Sequence, residues 1–230
     1  MTVLEDRDAA DPEVLCAIAA GGQAGERVFR RCTFDEADLA DVDLSGAVFE
    51  QCSLAGARLG GADLDGVHVV GGSFARADLT GAELSESRFT DVDLSQARFT
   101  GALLGEARFD GCRLVGADLT SLRGVVLTFS FDGSNLQLAS LQDATLKGLR
   151  LTGVDLSDAD LRGADLRDTV LVNCVLRGTD LSHTRLDRAD LRGADLGELT
   201  ADAPRDLAGA IISPSQAADV CGALGLTVIG

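Results

Sequence analysis

The feature that most constrains the fold is a repeat of five residues through most of the chain. Residues 159–168, for example, read ADLRG ADLRD. The Leu or Phe at the centre of each unit recurs at every fifth position from Phe29 to Leu119, with Val69 as the exception, and again from Val126 to Leu196. These runs hold 19 and 15 units, so the repeat organises most of the chain.

A period of five matches neither the 3.6 residues of an α-helix nor the strict alternation of a flat strand. In each unit the centre and the residue two before it are apolar or small, and the other three are mostly polar. Such a chain winds into a solenoid, and four units per square coil would stack residues 20 apart. One column at that spacing is almost wholly aromatic: Phe29, Phe49, Val69, Phe89, Phe109. This segregation predicts a stacked aromatic ladder inside the coil.

The frame changes once. The step between centres is seven residues over 119–126, and the two added residues keep Phe131 in the aromatic column. We predict a bulge or small loop over 121–130. A frame running through Leu122 and Leu127 is the alternative.

The units follow the pattern A(D/N)LXX, and over residues 27–198 the chain resembles the pentapeptide-repeat proteins. The resemblance implies an all-β solenoid, a right-handed quadrilateral β-helix, with short α-helical caps at both ends.

The two ends predict caps, because a solenoid would otherwise expose its core. In the N-terminal segment, 1–26, Asp11 precedes Pro12 as an N-cap, and we expect a helix over 12–20 that Gly21-Gly22 ends. This helix is expected to cover the first coil.

The C-terminal segment, 199–230, contains a capping box in which Ser213 is followed three residues later by Gln216. We expect a helix over 217–224, a stop at Gly225, and a short strand over 226–229.

The same tail resembles that of the gyrase-interacting, quinolone-resistance members of the MfpA, Qnr and AlbG types, which implies a C-terminal homodimer. The candidate interface residues are Ile211, Ile212, Val220, Leu224, Val228 and Ile229. A simple monomer cap is the alternative, but the tail has more apolar side chains than one coil end needs.

The net charge of the chain restricts the classes of partner that it can bind. The chain has 20 Lys and Arg against 37 Asp and Glu, a net charge of −17. This argues against phosphate-backbone binding and against a basic membrane-surface protein. With no apolar run near the ~20 residues of a membrane span and no visible signal peptide, we expect a cytoplasmic location.

No catalytic or metal-binding pattern stands out, so we expect neither an enzyme nor a cofactor. Cys32, Cys52, Cys112 and Cys174 fall in one inward column and are expected to be core residues. His68 and His183 fall at outward positions, without a nucleophile or ligand set at a telling spacing.

Acidic side chains concentrate on one predicted face that lacks Lys and Arg over 29–121. They are Asp43, Asp63, Asp65, Glu83, Glu86 and Glu106. Like charges at adjacent levels cost stability, so this stripe serves either solubility or a partner. The resemblance implies DNA mimicry: a non-enzymatic protein that binds DNA gyrase or topoisomerase IV and protects it from gyrase-directed antibiotics. The alternative is an acidic scaffold with another protein partner.

Overall fold

The computed structural model describes residues 2–19, 27–124 and 128–229. In chain order its strands and helices are β1 (Thr2–Glu5), α1 (Pro12–Ala19), β2 (Arg27–Arg30), β3 (Val48–Glu50), β4 (His68–Val70), β5 (Arg88–Thr90), β6 (Arg108–Asp110), β7 (Arg150–Thr152), β8 (Val170–Val172), α2 (Ala203–Asp206) and α3 (Pro214–Ala223).

The strands stack in parallel in the order β1-β2-β3-β4-β5-β6, with β7 paired to β8 in a second sheet. Within this ladder Phe29 pairs with Phe49 and Phe89 with Phe109, so the register of 20 residues is confirmed. We call this side of the coil face 1.

Three further faces are held by single parallel bridges at the same spacing. Faces 2, 3 and 4 carry the bridges Thr33 to Ser53, Asp38 to Arg58, and Asp43 to Asp63. Four faces repeating every 20 residues make the predicted right-handed quadrilateral β-helix. In an inner coil, N–H groups such as those of Leu59 and Asp78 then donate to the neighbouring coils, and others, such as that of Ala62, donate within their own turn.

The core is the stacked column of centres. Phe89 and Phe109 are fully buried and lie parallel, with ring centroids 5.1 Å apart and planes at 11°. Phe74, on face 2, meets Phe89 edge-on at 5.7 Å. The predicted aromatic ladder is therefore present, and Phe74 of face 2 packs edge-on against it.

The aspartate that precedes many centres holds its own backbone turn. Asp63 accepts a hydrogen bond from the N–H of Asp65 at 3.0 Å, and Asp155 accepts from both the N–H and the hydroxyl of Ser157. The same bond to the residue two positions on recurs at Asp43, Asp78, Asp93, Asp118, Asp160, Asp165, Asp180, Asp190 and Asp195. Part of the acidity of the chain thus serves the fold itself.

The frame shift lies between Arg123 and Ser130. Arg123 still pairs with Leu103 at a spacing of 20, whereas Ser130 pairs with Arg108 at a spacing of 22. Phe129 is buried in an inward site usually held by a small residue, and its ring contacts Phe131 at 5.3 Å. The centre expected at Val126 and the alternative one at Leu127 lie outside the described residues.

The N-terminal segment supplies one rung as well as a cap. Strand β1 pairs with β2, which the sequence did not predict. The predicted helix is confirmed as α1, and the N–H of Glu13 donates to the Asp11 carboxylate at 2.9 Å. Val14 and Ile18 are buried against the first coil, as expected of a cap. The predicted stop at Gly21-Gly22 lies outside the described residues.

Arg27 closes the open edge of face 4 at this end. Its side chain is almost fully buried, and its guanidinium donates to the carbonyl oxygens of Asp43 at 2.7 Å and Ser45 at 2.8 Å. One coil higher, the equivalent carbonyl of Asp63 accepts from the N–H of Leu44. The guanidinium therefore gives these two carbonyls the hydrogen-bond donors that backbone N–H groups give to their equivalents one coil higher.

Replacing Arg27 with methionine is expected to destabilise the protein by about 1–3 kcal/mol, because two partly buried carbonyls lose their donors. Chemical denaturation followed by circular dichroism measures the change. The matched control is Arg58→Met, since Arg58 is exposed and among the described residues pairs with Asp38 alone, at 2.9 Å, and an exposed pair contributes about 1 kcal/mol or less. Equal losses in the two variants would refute the edge-closing role of Arg27.

At the C-terminal end α2 and α3 cover part of the last coil. The capping box is confirmed, with Ser213 and Gln216 exchanging both hydrogen bonds, and Gly225 adopts a φ of +77° just after the helix. The Gln216 amide donates to the carbonyls of Leu191 and Ala194, again in place of a missing coil. The strand predicted over 226–229 is wrong: this segment has no strand pairing.

Candidate interaction surfaces

The acidic residues singled out from the sequence do gather on one side of the rod. Asp43 pairs with Asp63, and Asp63 pairs with Glu83, so their side chains form a vertical row on face 4. Asp43, Asp65, Glu86 and Glu106 are exposed, whereas Asp63 and Glu83 are half-buried. We call these six residues the acidic face.

Two arginines outside the interval 29–121 reach the acidic face, so it is not free of positive charge. Arg123 donates to Glu83 at 2.9 Å and to the carbonyls of Gly81 and Gly101. At the other end, Arg27 lies 3.6 Å from the Asp43 carboxylate. Bonds from Ser45, with a smaller contribution from Arg27, hold the pKa of Asp43 below its usual range. Asp43 therefore remains charged at neutral pH but is partly neutralised.

A shallow depression at the corner of faces 4 and 1 brings opposite charges together. It is lined by Gly66, His68, Glu86, Arg88, Glu106 and Arg108. No ion pair within 4 Å joins these side chains among the described residues. Arg88 and Arg108 nevertheless border the acidic face, so the corner presents a row of glutamates beside a row of arginines.

Asp63, Asp65, Glu86 and Glu106 form the part of the acidic face without an arginine ion pair in the described chain. Asp63 and Asp65 lie on one coil, and Glu86 and Glu106 lie on the next two coils, about 4.8 Å apart along the rod at the usual strand spacing. A patch of carboxylates on successive coils suits a basic groove on a partner.

The C-terminal residues singled out as an interface differ in exposure. Ile212 and Val220 are half-buried and pack against the core. Ile211, Leu224, Val228 and Ile229 are exposed large apolar side chains, and so is Leu226. Ile229 is 89% exposed, a high value for an isoleucine. Together they form an apolar end to an otherwise polar rod.

The histidines and cysteines lie where the repeat puts them. His68 and His183 are exposed at outward positions. Cys32, Cys52, Cys112 and Cys174 are buried, and burial raises the pKa of the Cys52 and Cys112 thiols to about 12. Across 2–19, 27–124 and 128–229 no group of His, Cys, Asp and Glu is placed to hold a metal ion. Within the same ranges, no helix has the length and apolar character of a membrane span.

Comparison with known families and structures agrees with this architecture. The family described as pentapeptide repeats matches in eight copies, over residues 32–69, 57–96, 87–128, 120–163 and 159–197. No curated protein matches the chain.

Two solved structures of one protein share the fold. A trypsin-treated variant of QnrB1, a plasmid-mediated fluoroquinolone resistance protein, is 22% identical, with a TM-score of 0.78, and the match covers 88% of this chain and 100% of that one. Full-length QnrB1 is 19% identical, with a TM-score of 0.52, over 98% of this chain and 100% of that one. At these identities the likeness establishes a common β-helix.

Proposed function

Because this chain belongs to the pentapeptide-repeat family, we propose that it is a non-enzymatic, DNA-mimicking protein that binds DNA gyrase or topoisomerase IV. In this role it occupies the groove that normally takes duplex DNA, and it protects the topoisomerase from gyrase-directed antibiotics. It acts as a homodimer joined at its apolar C-terminal end, and its partner places it in the cytoplasm.

The observation that carries the proposal is the row of carboxylates on face 4, where Asp43, Asp63 and Glu83 stack on successive coils. The rows follow the coil spacing, so their geometry does not depend on flexible loops. The net charge of −17 attracts a basic groove and repels DNA itself.

The fold of QnrB1 adds support, because QnrB1 is a fluoroquinolone resistance protein. The interior of this rod is filled with Leu and Phe side chains, which leaves the outer surface as the place for recognition.

Reversing Asp63, Asp65 and Glu86 to lysine is expected to weaken gyrase binding at least about tenfold, because the row facing the basic groove changes sign. Folding should be retained, because none of the three is buried or ion-paired in the described chain, and the turn hydrogen bond that Asp63 accepts from the N–H of Asp65 is worth only about 0.5–1.5 kcal/mol. Binding is measured by surface plasmon resonance, and protection by gyrase supercoiling in the presence of a fluoroquinolone.

The matched control reverses Asp91, Asp110 and Asp132, three exposed acids along the other edge of face 1. Each reversal adds two charge units, so both triple variants go from −17 to −11. Equal weakening in both variants would mean that only net charge matters. Unchanged binding in the first variant would remove the acidic face from the interface, and absence of binding by the wild type would reject the proposed function.

A further inference from the structure

The last coil of the β-helix leaves a strand edge open on face 3. One coil below, the N–H of Leu161 donates to the carbonyl of Asp180 at 3.0 Å, and the N–H of Asp180 donates to that of Ala159 at 3.0 Å. Among the described residues, neither the N–H of Leu181 nor the carbonyl of Thr179 has such a backbone partner. The edge therefore offers one donor and one acceptor at the spacing of a further rung.

Face 1 of the same end is covered. The N–H of Ile211 donates to the carbonyl of Ala189 at 2.8 Å, and the N–H of Leu191 donates back to Ile211 at 2.9 Å. Residues around Ile211 thus add one more rung over face 1. The chain does not add the corresponding rung over face 3, where it leaves the coil after Leu196.

A cleft of about 260 Å³ lies beside this open edge, between the last coil and α2. Its apolar lining residues are Leu176, Leu181, Leu196, Leu199 and Leu207. Leu181 is only half-buried, whereas Leu161 at the same position one coil below is fully buried. The cleft is thus the place where the next inward side chains of the solenoid would lie.

The C-terminal tail has the apolar pattern of a repeat unit, as a further rung over face 3 would require. Residues 226–230 read LTVIG, with apolar residues at the first and third positions, as in the repeat unit. Leu226 and Val228, at those positions, are more than half exposed. The tail is rich in residues that favour strands, yet it pairs with no strand among the described residues.

We infer that the tail of a second copy binds the open edge of face 3 as an additional rung. The N–H of its Thr227 donates to the carbonyl of Thr179, and its carbonyl accepts from the N–H of Leu181. The side chains of Leu226 and Val228 then fill the cleft. The inference rests on the proposed homodimer and identifies the segment that joins the two copies. Strand addition of this kind supplies backbone bonds and side-chain pockets together.

A second copy is the occupant that the structure favours, for two reasons. The tail and the cleft lie at the same end of the rod, so two copies that meet end to end bring each tail to the other's cleft. The tail also follows the repeat unit of this chain in having apolar residues at its first and third positions, with Leu226 larger than the residue that most units have at the first position. An exchange of tails between two copies is closed, so it does not lead to filaments.

Analytical ultracentrifugation of the full-length chain and of Val228→Asp tests the inference. We expect a dimer for the wild type and at least a 100-fold weaker dimer for the variant, because the inserted carboxylate would lie against leucines and close to the acidic Glu198 and Asp206 of the cleft. Leu138→Asp is the control, since Leu138 is an exposed leucine of the repeat region and should leave the dimer intact.

Disulfide cross-linking tests the register. In a Cys16→Ser, Cys221→Ser background, Ser182→Cys should cross-link to Ile229→Cys of a second copy, because these outward positions face each other on adjacent rungs. The pair Leu138→Cys and Ile229→Cys should not cross-link.

The outcomes separate the two proposals. A dimer that survives Val228→Asp and forms no 182–229 cross-link overturns the strand addition and leaves the homodimer standing. A full-length chain that is monomeric at micromolar concentration overturns both. Gyrase binding is measured independently and bears only on the proposed function.

Discussion

Replacing Gly72 with alanine is expected to destabilise the protein by about 4 kcal/mol or more, because the added methyl group has no room between two coils. Gly72 occupies an inward site in the cysteine column with a φ of +85°, and a Cβ there would overlap the carbonyl oxygen of Cys52 and lie 2.8 Å from its nitrogen. Backbone atoms on the coil below cannot move aside as a flexible side chain does. Denaturation followed by circular dichroism measures the loss.

Gly81→Ala is the matched control for this substitution. Gly81 has a similar positive φ of +69°, but a Cβ there would meet no atom within 4 Å. The free energy of unfolding of this variant should fall only by the strain of an alanine in the left-handed region, about 1–2 kcal/mol. Similar losses at both positions would show that the coils are not in close contact at Cys52.

Replacing Phe89 with alanine is expected to cost about 3–5 kcal/mol, the usual loss for a large buried aromatic side chain. Phe89 is fully buried, stacked on Phe109 and held edge-on by Phe74. The backbone hydrogen bonds between coils hold these neighbours in place, so the cavity cannot collapse. The free energy of unfolding, from urea denaturation, is the measurement.

Two further variants serve as comparisons for Phe89→Ala. Phe89→Leu keeps most of the volume, as at the neighbouring level where Val69 occupies the column, and should cost roughly 1–2 kcal/mol. Leu138→Ala, at an exposed position, should change stability by less than about 0.5 kcal/mol. A loss under about 1 kcal/mol for Phe89→Ala would contradict the 20-residue register.

The register was predictable because it follows from composition at fixed spacing. Phenylalanine at positions 20 apart identifies which units stack, and the ladder between Phe89 and Phe109 confirms it. The caps were predictable for a similar reason, since an N-cap such as Asp11 and a capping box such as Ser213 with Gln216 act within four residues. Both signals are local or strictly periodic.

The pairing of strand β1 and of the C-terminal tail could not be predicted from local or periodic signals. Thr2–Glu5 lacks the five-residue pattern, yet it forms a rung because β2 offers it an open edge. Residues 226–229 have the composition of a strand but no strand partner in the part of the chain that the structure describes. Pairing decides a short strand, and the partner is not encoded next to it.

For the acidic residues, too, the sequence determined one property and the tertiary structure another. The sequence by itself determined that carboxylates recur on one face, because the repeat assigns each residue to a face. Only the tertiary structure decided which of them are free: Arg123 pairs with Glu83, 40 residues before it, and Arg27 reaches Asp43 from an inward site. The period of the chain assigns each residue to a face. An ion pair, however, forms only where the fold brings two opposite charges within about 4 Å of each other, and the period does not determine that distance.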